Sequence, residues 1–193
     1  MLQKISSRRL KMQVEEILRN YKVLMEGHFI LNSGLHSKYY FEKFRILENP
    51  EATGKLCSMI VERFKDRNIE WVIGPTTGGI IIAFETARQL HCNAGFAEER
   101  EGKRVVARGF NIRGKNVLIV DDVLTTGKSL NETIEAVKEK NAKIIGIVVL
   151  IDRSVNIMPF EYVSLYKKEV QNFKPEECPL CKEKIPFTKP GGA

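Results

Sequence analysis

Val117-Leu118-Ile119-Val120-Asp121-Asp122-Val123-Leu124-Thr125-Thr126-Gly127-Lys128-Ser129 joins an unbroken apolar stretch to two acids and a hydroxyl-rich turn. Val117–Val120 shows no polar alternation, so it reads as a strand covered on both faces. Gly127 marks a turn, and an amphipathic helix follows from about Lys128 to Lys140. Outward from this unit the same rhythm repeats. Upstream, Trp71–Ile73 reads as a strand, Gly74-Pro75-Thr76-Thr77-Gly78-Gly79 as a loop, and Ile80–Leu90 as a helix. Downstream, Ile144–Ile151 is an apolar strand broken only by Gly146, and it ends in Asp152-Arg153. Strand, loop and helix repeated in this order imply parallel pairing with right-handed crossovers. The fold class is therefore α/β, a doubly wound parallel sheet. Ala94–Glu99 and Val105–Ile112 read as two further strands around Glu101-Gly102-Lys103.

The first 70 residues have a different pattern. Leu10, Val14, Ile17, Leu18, Tyr21, Leu24 and Met25 recur at helical spacing, predicting a helix over residues 7–25 capped by Ser6 or Ser7. After Gly27 come two extended pieces, His28–Asn32 and Lys38–Ile46, and Pro50 then opens a helix to about Asp66. Beyond Phe173 lie four of the seven prolines, so that segment reads as an irregular tail packed on the core.

With 193 residues, the chain fits one domain with an appendage. Hydrophobic content of 43% and charged content of 28% exclude long disorder and fibrous repeats. No apolar run approaches the ~20 residues of a membrane span, and the charged N-terminus has no apolar stretch behind it, so a soluble cytoplasmic protein without membrane partners is expected. The net charge of +7 is spread along the chain and mixed with Glu, with no basic tail. That distribution favours a small phosphorylated ligand over nucleic acid.

In open α/β sheets ligands bind beyond the carboxyl ends of the strands. The turn after Asp122 sits at a helix start, whose free N–H groups and partial positive charge suit a phosphate. Gly127 admits the anion, and Thr125, Thr126 and Ser129 add hydroxyl donors. Asp121 and Asp122 would repel a phosphate unless they face vicinal sugar hydroxyls or a Mg²⁺-bound group. The ligand so described has a phosphate at one end and a polyol in the middle. A Walker A loop would need glycine where Asp122 stands, and no Gly-x-Gly-x-x-Gly follows any strand. The remaining alternative is a plain strand–turn–helix capped by Thr125 or Thr126.

The Val117–Ser129 string resembles the phosphoribosyl-diphosphate signature of the type I phosphoribosyltransferases. The resemblance extends to the short thermophile-type branch of the orotate phosphoribosyltransferase family through Glu26–Ser37, Gly74–Gly79, Asp152-Arg153 and Cys178-Pro179-Leu180-Cys181. It implies a single domain over 1–193, with a core of about 50–165 and a base-covering hood of about 1–48 joined by a tail of about 170–193. It implies transfer of ribose 5-phosphate from phosphoribosyl diphosphate to orotate, with Mg²⁺, as in pyrimidine nucleotide synthesis. Asp121 and Asp122 would hold the ribose hydroxyls, and Val123, Leu124, Thr125, Thr126, Gly127, Lys128 and Ser129 the 5′-phosphate loop. Thr76, Thr77, Gly78 and Gly79 would face pyrophosphate, Arg153 the base, and Tyr40 and Phe41 the pyrimidine from above. The family's basic loop, acting across a homodimer, corresponds to Glu98–Lys115, in which Arg100 and Lys103 are the catalytic candidates. Asn32 stands where the family often has lysine, and Thr77-Gly78 replaces a Tyr-Lys pair. Two other readings stay open, a purine or xanthine phosphoribosyltransferase and a phosphoribosyl-diphosphate-binding regulator without turnover.

Cys178 and Cys181 have zinc-knuckle spacing, but a structural zinc needs four ligands. Cys57, Cys92, His28, His36 and His91 are scattered along the sequence, so no metal ligand is assigned. Reduced thiols in a folded tail, a disulfide, or a Cys₄ site shared by two chains remain the alternatives. His28 and His36 are expected at the surface or in packing rather than in acid–base chemistry.

Overall fold

The computed structural model describes residues 8–31, 33–155 and 157–190. The proposed cap at Ser6 or Ser7 and the substitution at Asn32 lie outside the described residues.

Helix α1 (Arg8–Asn20) buries Val14 and Leu18, as the helical spacing requires. It stops five residues short of the predicted end. Lys22 takes a left-handed conformation (φ 54°), and Val23 N–H donates back to the Leu18 carbonyl at 2.8 Å, closing the helix. Leu24 and Met25 therefore begin a strand, β1 (Leu24–Ile30), which pairs antiparallel with β2 (His36–Phe41). The predicted strand Lys38–Ile46 ends at Phe41. The chain then winds into the single turn α2 (Phe44–Leu47), because a turn brings Ile46 and Leu47 together into the core. Helix α3 (Pro50–Phe64) starts at Pro50 as expected, with Asn49 Oδ1 accepting from Ala52 N–H at 3.0 Å.

The second half delivers the predicted alternation. It comprises β3 (Trp71–Pro75), α4 (Gly78–Leu90), β4 (Asn93–Arg100), β5 (Lys103–Val106), β6 (Asn116–Leu124), α5 (Lys128–Glu139), β7 (Lys143–Asp152) and β8 (Val163–Lys167). The main sheet has the order β5-β4-β3-β6-β7-β8, all parallel except the β5 edge. Two sequence expectations fail here. The strand predicted to reach Ile112 stops at Val106, since Arg108 and Gly109 adopt φ of 57° and 78° and turn the chain off the sheet. The acids Asp121 and Asp122 do not leave β6; they are its buried continuation toward Leu124.

The alternation of β6 side chains explains why its apolar run is continuous. Leu118 and Val120 join the core layer beneath α1, α3 and α4, while Val117 and Ile119 join the layer beneath α5. A short strand β9 (Asn172–Phe173) from the tail pairs with β2, completing a separate three-stranded sheet, β1-β2-β9. Past it, a 3₁₀ turn (Pro175–Glu177) and the one-turn helix α6 (Pro179–Lys182) are the only helical pieces among the described tail residues, as the prolines predict.

Between β6 and β7 the register slips at Val117/Leu118, and Gly146 comes opposite Leu118. A Cβ at Gly146 would overlap the Phe64 ring and lie 3.4 Å from Leu118 Cδ1. Overpacking of this kind costs about 1–3 kcal/mol. Gly146→Ala should therefore lower the unfolding free energy by that amount, seen as a lower urea midpoint, and adding Phe64→Leu should recover part of the loss. An unchanged midpoint for the single variant would contradict the packing described.

Candidate active site

Strand β3 continues in sequence to β4 on one side and has β6 on the other, so the chain reverses its direction of winding between β3 and β6. The carboxyl end of that gap is where an open sheet leaves a crevice. The pairing of β3 with β6 ends at Ile73↔Ile119, whereas β6 stays paired with β7 as far as Leu124↔Asp152. Strand β6 thus overshoots its β3 neighbour, and the overshoot carries Asp121 and Asp122. A cleft of about 320 Å³ opens there, lined by Thr76–Gly78 from the turn after β3 and by Asp121–Leu130 from β6 and the start of α5.

The two acids are 7% and 6% exposed. Asp121 Oδ1 accepts from Asp122 N–H at 2.8 Å, and Asp122 Oδ1 accepts from Val123 N–H at 2.6 Å. Lys43 Nζ stands 3.1 Å from Asp122 Oδ2. Burial first, and the adjacent Asp122 charge second, push the Asp121 carboxyl up to about 8. Gly78 is forced by this arrangement, since a Cβ there would collide with Asp122 Oδ2.

Helix α5 opens at Gly127, which takes φ 80° and whose missing side chain leaves room for Met158 Sδ. Thr126 Oγ1 accepts weakly from Lys128 N–H at 3.4 Å. The first N–H groups of the helix point along its axis into the cleft and give it an anion-binding end. Opposite, the turn from Thr76 to Gly79 starts α4, whose Gly78 and Gly79 are both buried. The two helix starts face one crevice.

Arg104 links them. Its guanidinium is 7% exposed, donating to Ala97 O at 2.9 Å, Thr76 Oγ1 at 3.2 Å and Ser129 Oγ at 3.4 Å, with Glu132 at 3.4 Å. Sequence reading passed over Arg104 and chose its neighbours. The available signal was the two-residue period of β5, in which Arg104 and Val106 are buried while Lys103 is exposed. Lys43 was also missed, and no sequence pattern marks it.

A second group of side chains lies beside the cleft. Arg153 N–H donates to Leu124 O at 2.9 Å, which fixes Arg153 next to the end of β6. Its guanidinium stacks over Phe41 at 5.0 Å, and its Nε is buried with no hydrogen-bond acceptor. Phe41 is a core residue, 5% exposed, while Tyr40 is half-buried with its hydroxyl 3.5 Å from Glu42. Asp152 faces away from the cleft. Burial pushes its carboxyl up, but bonds from Ser154, Tyr162 and Lys167 outweigh that and hold it below its ordinary value.

Arg100 and Lys103 are not brought to this cleft. They face each other at the tip of the β4–β5 hairpin, Arg100 bound to Glu98 at 2.6 Å and Lys103 to Glu139 at 2.7 Å. The histidines and tail cysteines are not scattered in space either. His28 and His36 are 3% and 5% exposed rather than at the surface, and they meet Cys178 and Cys181 away from the cleft.

Comparison with known proteins places the chain in a family. The family profile described as phosphoribosyl transferase domain matches residues 45–178. An orotate phosphoribosyltransferase of Caldicellulosiruptor bescii is 41% identical over 179 residues, covering 91% of this chain and 94% of its own. One from Chlorobium phaeobacteroides is 42% identical over 180 residues, covering 91% and 93%. Among solved structures, an orotate phosphoribosyltransferase from Aeropyrum pernix superposes with a TM-score of 0.68 at 27% identity, covering 80% of this chain and 93% of that one. On this match over most of its length, the chain belongs to the orotate phosphoribosyltransferase family within the phosphoribosyl transferases.

Proposed function

We propose that the chain transfers the 5-phosphoribosyl group of phosphoribosyl diphosphate to orotate, forming orotidine 5′-phosphate and pyrophosphate. The observation that carries this reading is the overshoot of β6, which sets two buried acids between two anion-binding helix starts. The 5′-phosphate docks on the loop from Val123 to Ser129, and pyrophosphate on Thr76–Gly79. Asp121 and Asp122 take the ribose hydroxyls between them. The negative charge of Asp122 also favours the positive character that develops at the sugar as pyrophosphate departs. Lys43, beside Asp122, adds a cation on the pyrophosphate side, and Arg104 is a positioning residue that holds both loops at a fixed separation.

Orotate lies against Arg153, whose unpaired Nε–H supplies a planar charged donor for a carboxylated ring. Phe41 backs that guanidinium rather than covering the ligand itself, and Tyr40 is left to line the base side. The oxygen-only donors around Asp121 and Asp122 fit Mg²⁺ carried mainly by substrate oxygens, and when bound it would neutralise charge on the leaving pyrophosphate. Arg100 and Lys103, exposed on a hairpin tip, suit a role in the cleft of a second copy in a homodimer. The whole chain then works as one unit in the cytoplasm, with the β1-β2-β9 sheet as the hood.

Loss of orotate absorbance on mixing protein, orotate, phosphoribosyl diphosphate and Mg²⁺ tests the activity directly; no loss at any substrate concentration refutes it. Asp122→Asn should lower kcat/KM by at least about 100-fold, as expected for removal of a charged transition-state contact. Arg153→Lys should raise the orotate KM by about 10-fold or more while leaving that for phosphoribosyl diphosphate little changed, since a charged hydrogen bond is worth about 1.5–3 kcal/mol.

The raised Asp121 carboxyl also has a stability consequence. A folded-state value above the ordinary carboxylate value of about 4 means that the folded form holds its proton more tightly. Its contribution is fully favourable at low pH and is lost as pH rises through the folded value. Asp121→Asn, which keeps the Oδ1 acceptor for Asp122 N–H, should therefore melt at a higher temperature than the parent near pH 8 and lose that advantage toward pH 4. A difference in melting temperature that does not vary with pH would overturn the assignment.

Subunit sharing is tested by co-expression. A chain with Arg100→Ala and Lys103→Ala, paired with an Asp122→Asn chain, should recover activity that neither has alone, because one mixed cleft retains every group. Absence of recovery in verified mixed dimers would show that the hairpin does not act across subunits.

A further inference from the structure

Residues 171–190 have a fixed course although Cys178 is the only buried residue among them. So little apolar burial does not hold a segment of this length. Its other ties include Thr188, which bonds the β1 backbone at His28 O (2.8 Å) and Ile30 N (3.0 Å), and the two-residue strand β9. Around Cys178 four soft or borderline ligands converge. His28 comes from β1, His36 from β2, and Cys178 and Cys181 from either end of the first turn of α6, with the ligand atoms all within 4.8 Å of one another.

The distances have the size of a coordination shell. Cys178 Sγ and Cys181 Sγ lie 3.6 and 3.7 Å from His28 Nε2, and Cys181 Sγ lies 3.2 Å from His36 Nδ1. Bonds of about 2.3 Å to sulfur and 2.0–2.1 Å to nitrogen at tetrahedral angles put S···N edges at about 3.5 Å. The two nitrogens are 2.8 Å apart and need only open slightly to match. The outer side of the site is also built. His28 Nδ1 lies 2.8 Å from the Ile185 carbonyl, which fixes its proton there and leaves the Nε2 lone pair aimed at the cluster. Phe187 closes over His28 edge-on at 5.9 Å.

We propose that His28 Nε2, His36 Nδ1, Cys178 Sγ and Cys181 Sγ bind one structural Zn²⁺, which clamps the tail onto the hood. Two thiolates and two neutral imidazoles balance the dication, so the centre is uncharged and its burial costs little electrostatically. Two thiol protons leave to solvent on binding. All four positions are filled by the protein, so the ion is structural and takes no part in the transfer reaction. This site is separate from the phosphoribosyl-diphosphate cleft and does not depend on the reading of that cleft.

Protein purified without a metal-affinity step and dialysed against a weak chelator should carry one zinc per chain by elemental analysis. Cobalt exchanged into the chelator-stripped protein should give the intense visible bands and sulfur-to-metal charge transfer of a tetrahedral thiolate site. Cys178→Ser, Cys181→Ser and His36→Ala should each lose the metal, whereas Cys92→Ser should keep it. In stripped protein, amide exchange across residues 174–190 should quicken while that of β6 and β7 stays slow, and added zinc should restore protection. Where a variant fails to fold, the cobalt spectrum of the unmutated chain decides. Protein that neither contains zinc nor takes it up when reduced, a Cys178–Cys181 disulfide under reducing conditions, or equal metal loss in Cys92→Ser would each overturn the proposal.

Discussion

Two carboxylates side by side at the end of a buried strand constrain everything around them. Burying one charge is costly, and burying two of the same sign is more so. The structure meets this with backbone donors from Asp122 and Val123, with Lys43, and with a crevice into which both groups open. The crevice exists only because β3 stops pairing before β6 does. The turn that β3 makes on leaving is held close by Gly78, where any side chain would strike Asp122.

The cleft and the base side have different structural origins. The proposed phosphate and ribose positions derive from the parallel sheet and the starts of α4 and α5, so they share the rigidity of the core. The proposed base position depends on Arg153, which is anchored to β6 through its backbone but leans on Phe41 from the smaller sheet. A change in the seating of that sheet would move the guanidinium without disturbing the acids. Specificity for the base and affinity for the activated sugar can therefore vary separately within this architecture.

The parallel sheet was readable because its strands are buried on both faces, so Val117–Val120 and Ile144–Ile151 show unbroken apolar runs. The cleft was readable because Asp121–Ser129 and Thr76–Gly79 are contiguous stretches whose chemistry survives without knowledge of tertiary contacts. Reading failed where long-range pairing decides the outcome. Leu24 and Met25 fit a helix by spacing, yet they are taken by the β1–β2 hairpin once Lys22 turns the chain. Arg104 looks like one more surface base until Thr76, Ala97 and Ser129 are assembled around it. The meeting of His28 and His36 with two cysteines from the tail was invisible for the same reason, since no spacing rule spans the intervening sheet.

The strand that completes the smaller sheet, β9, is separated from its partner β2 by the entire parallel core. During synthesis on a ribosome, the core elements emerge and can pair long before Asn172 and Phe173 are available. The first hairpin must therefore wait with one edge unsatisfied, exposed to chaperones and to other nascent chains. The smaller sheet is therefore completed only after every strand of the parallel sheet has been made.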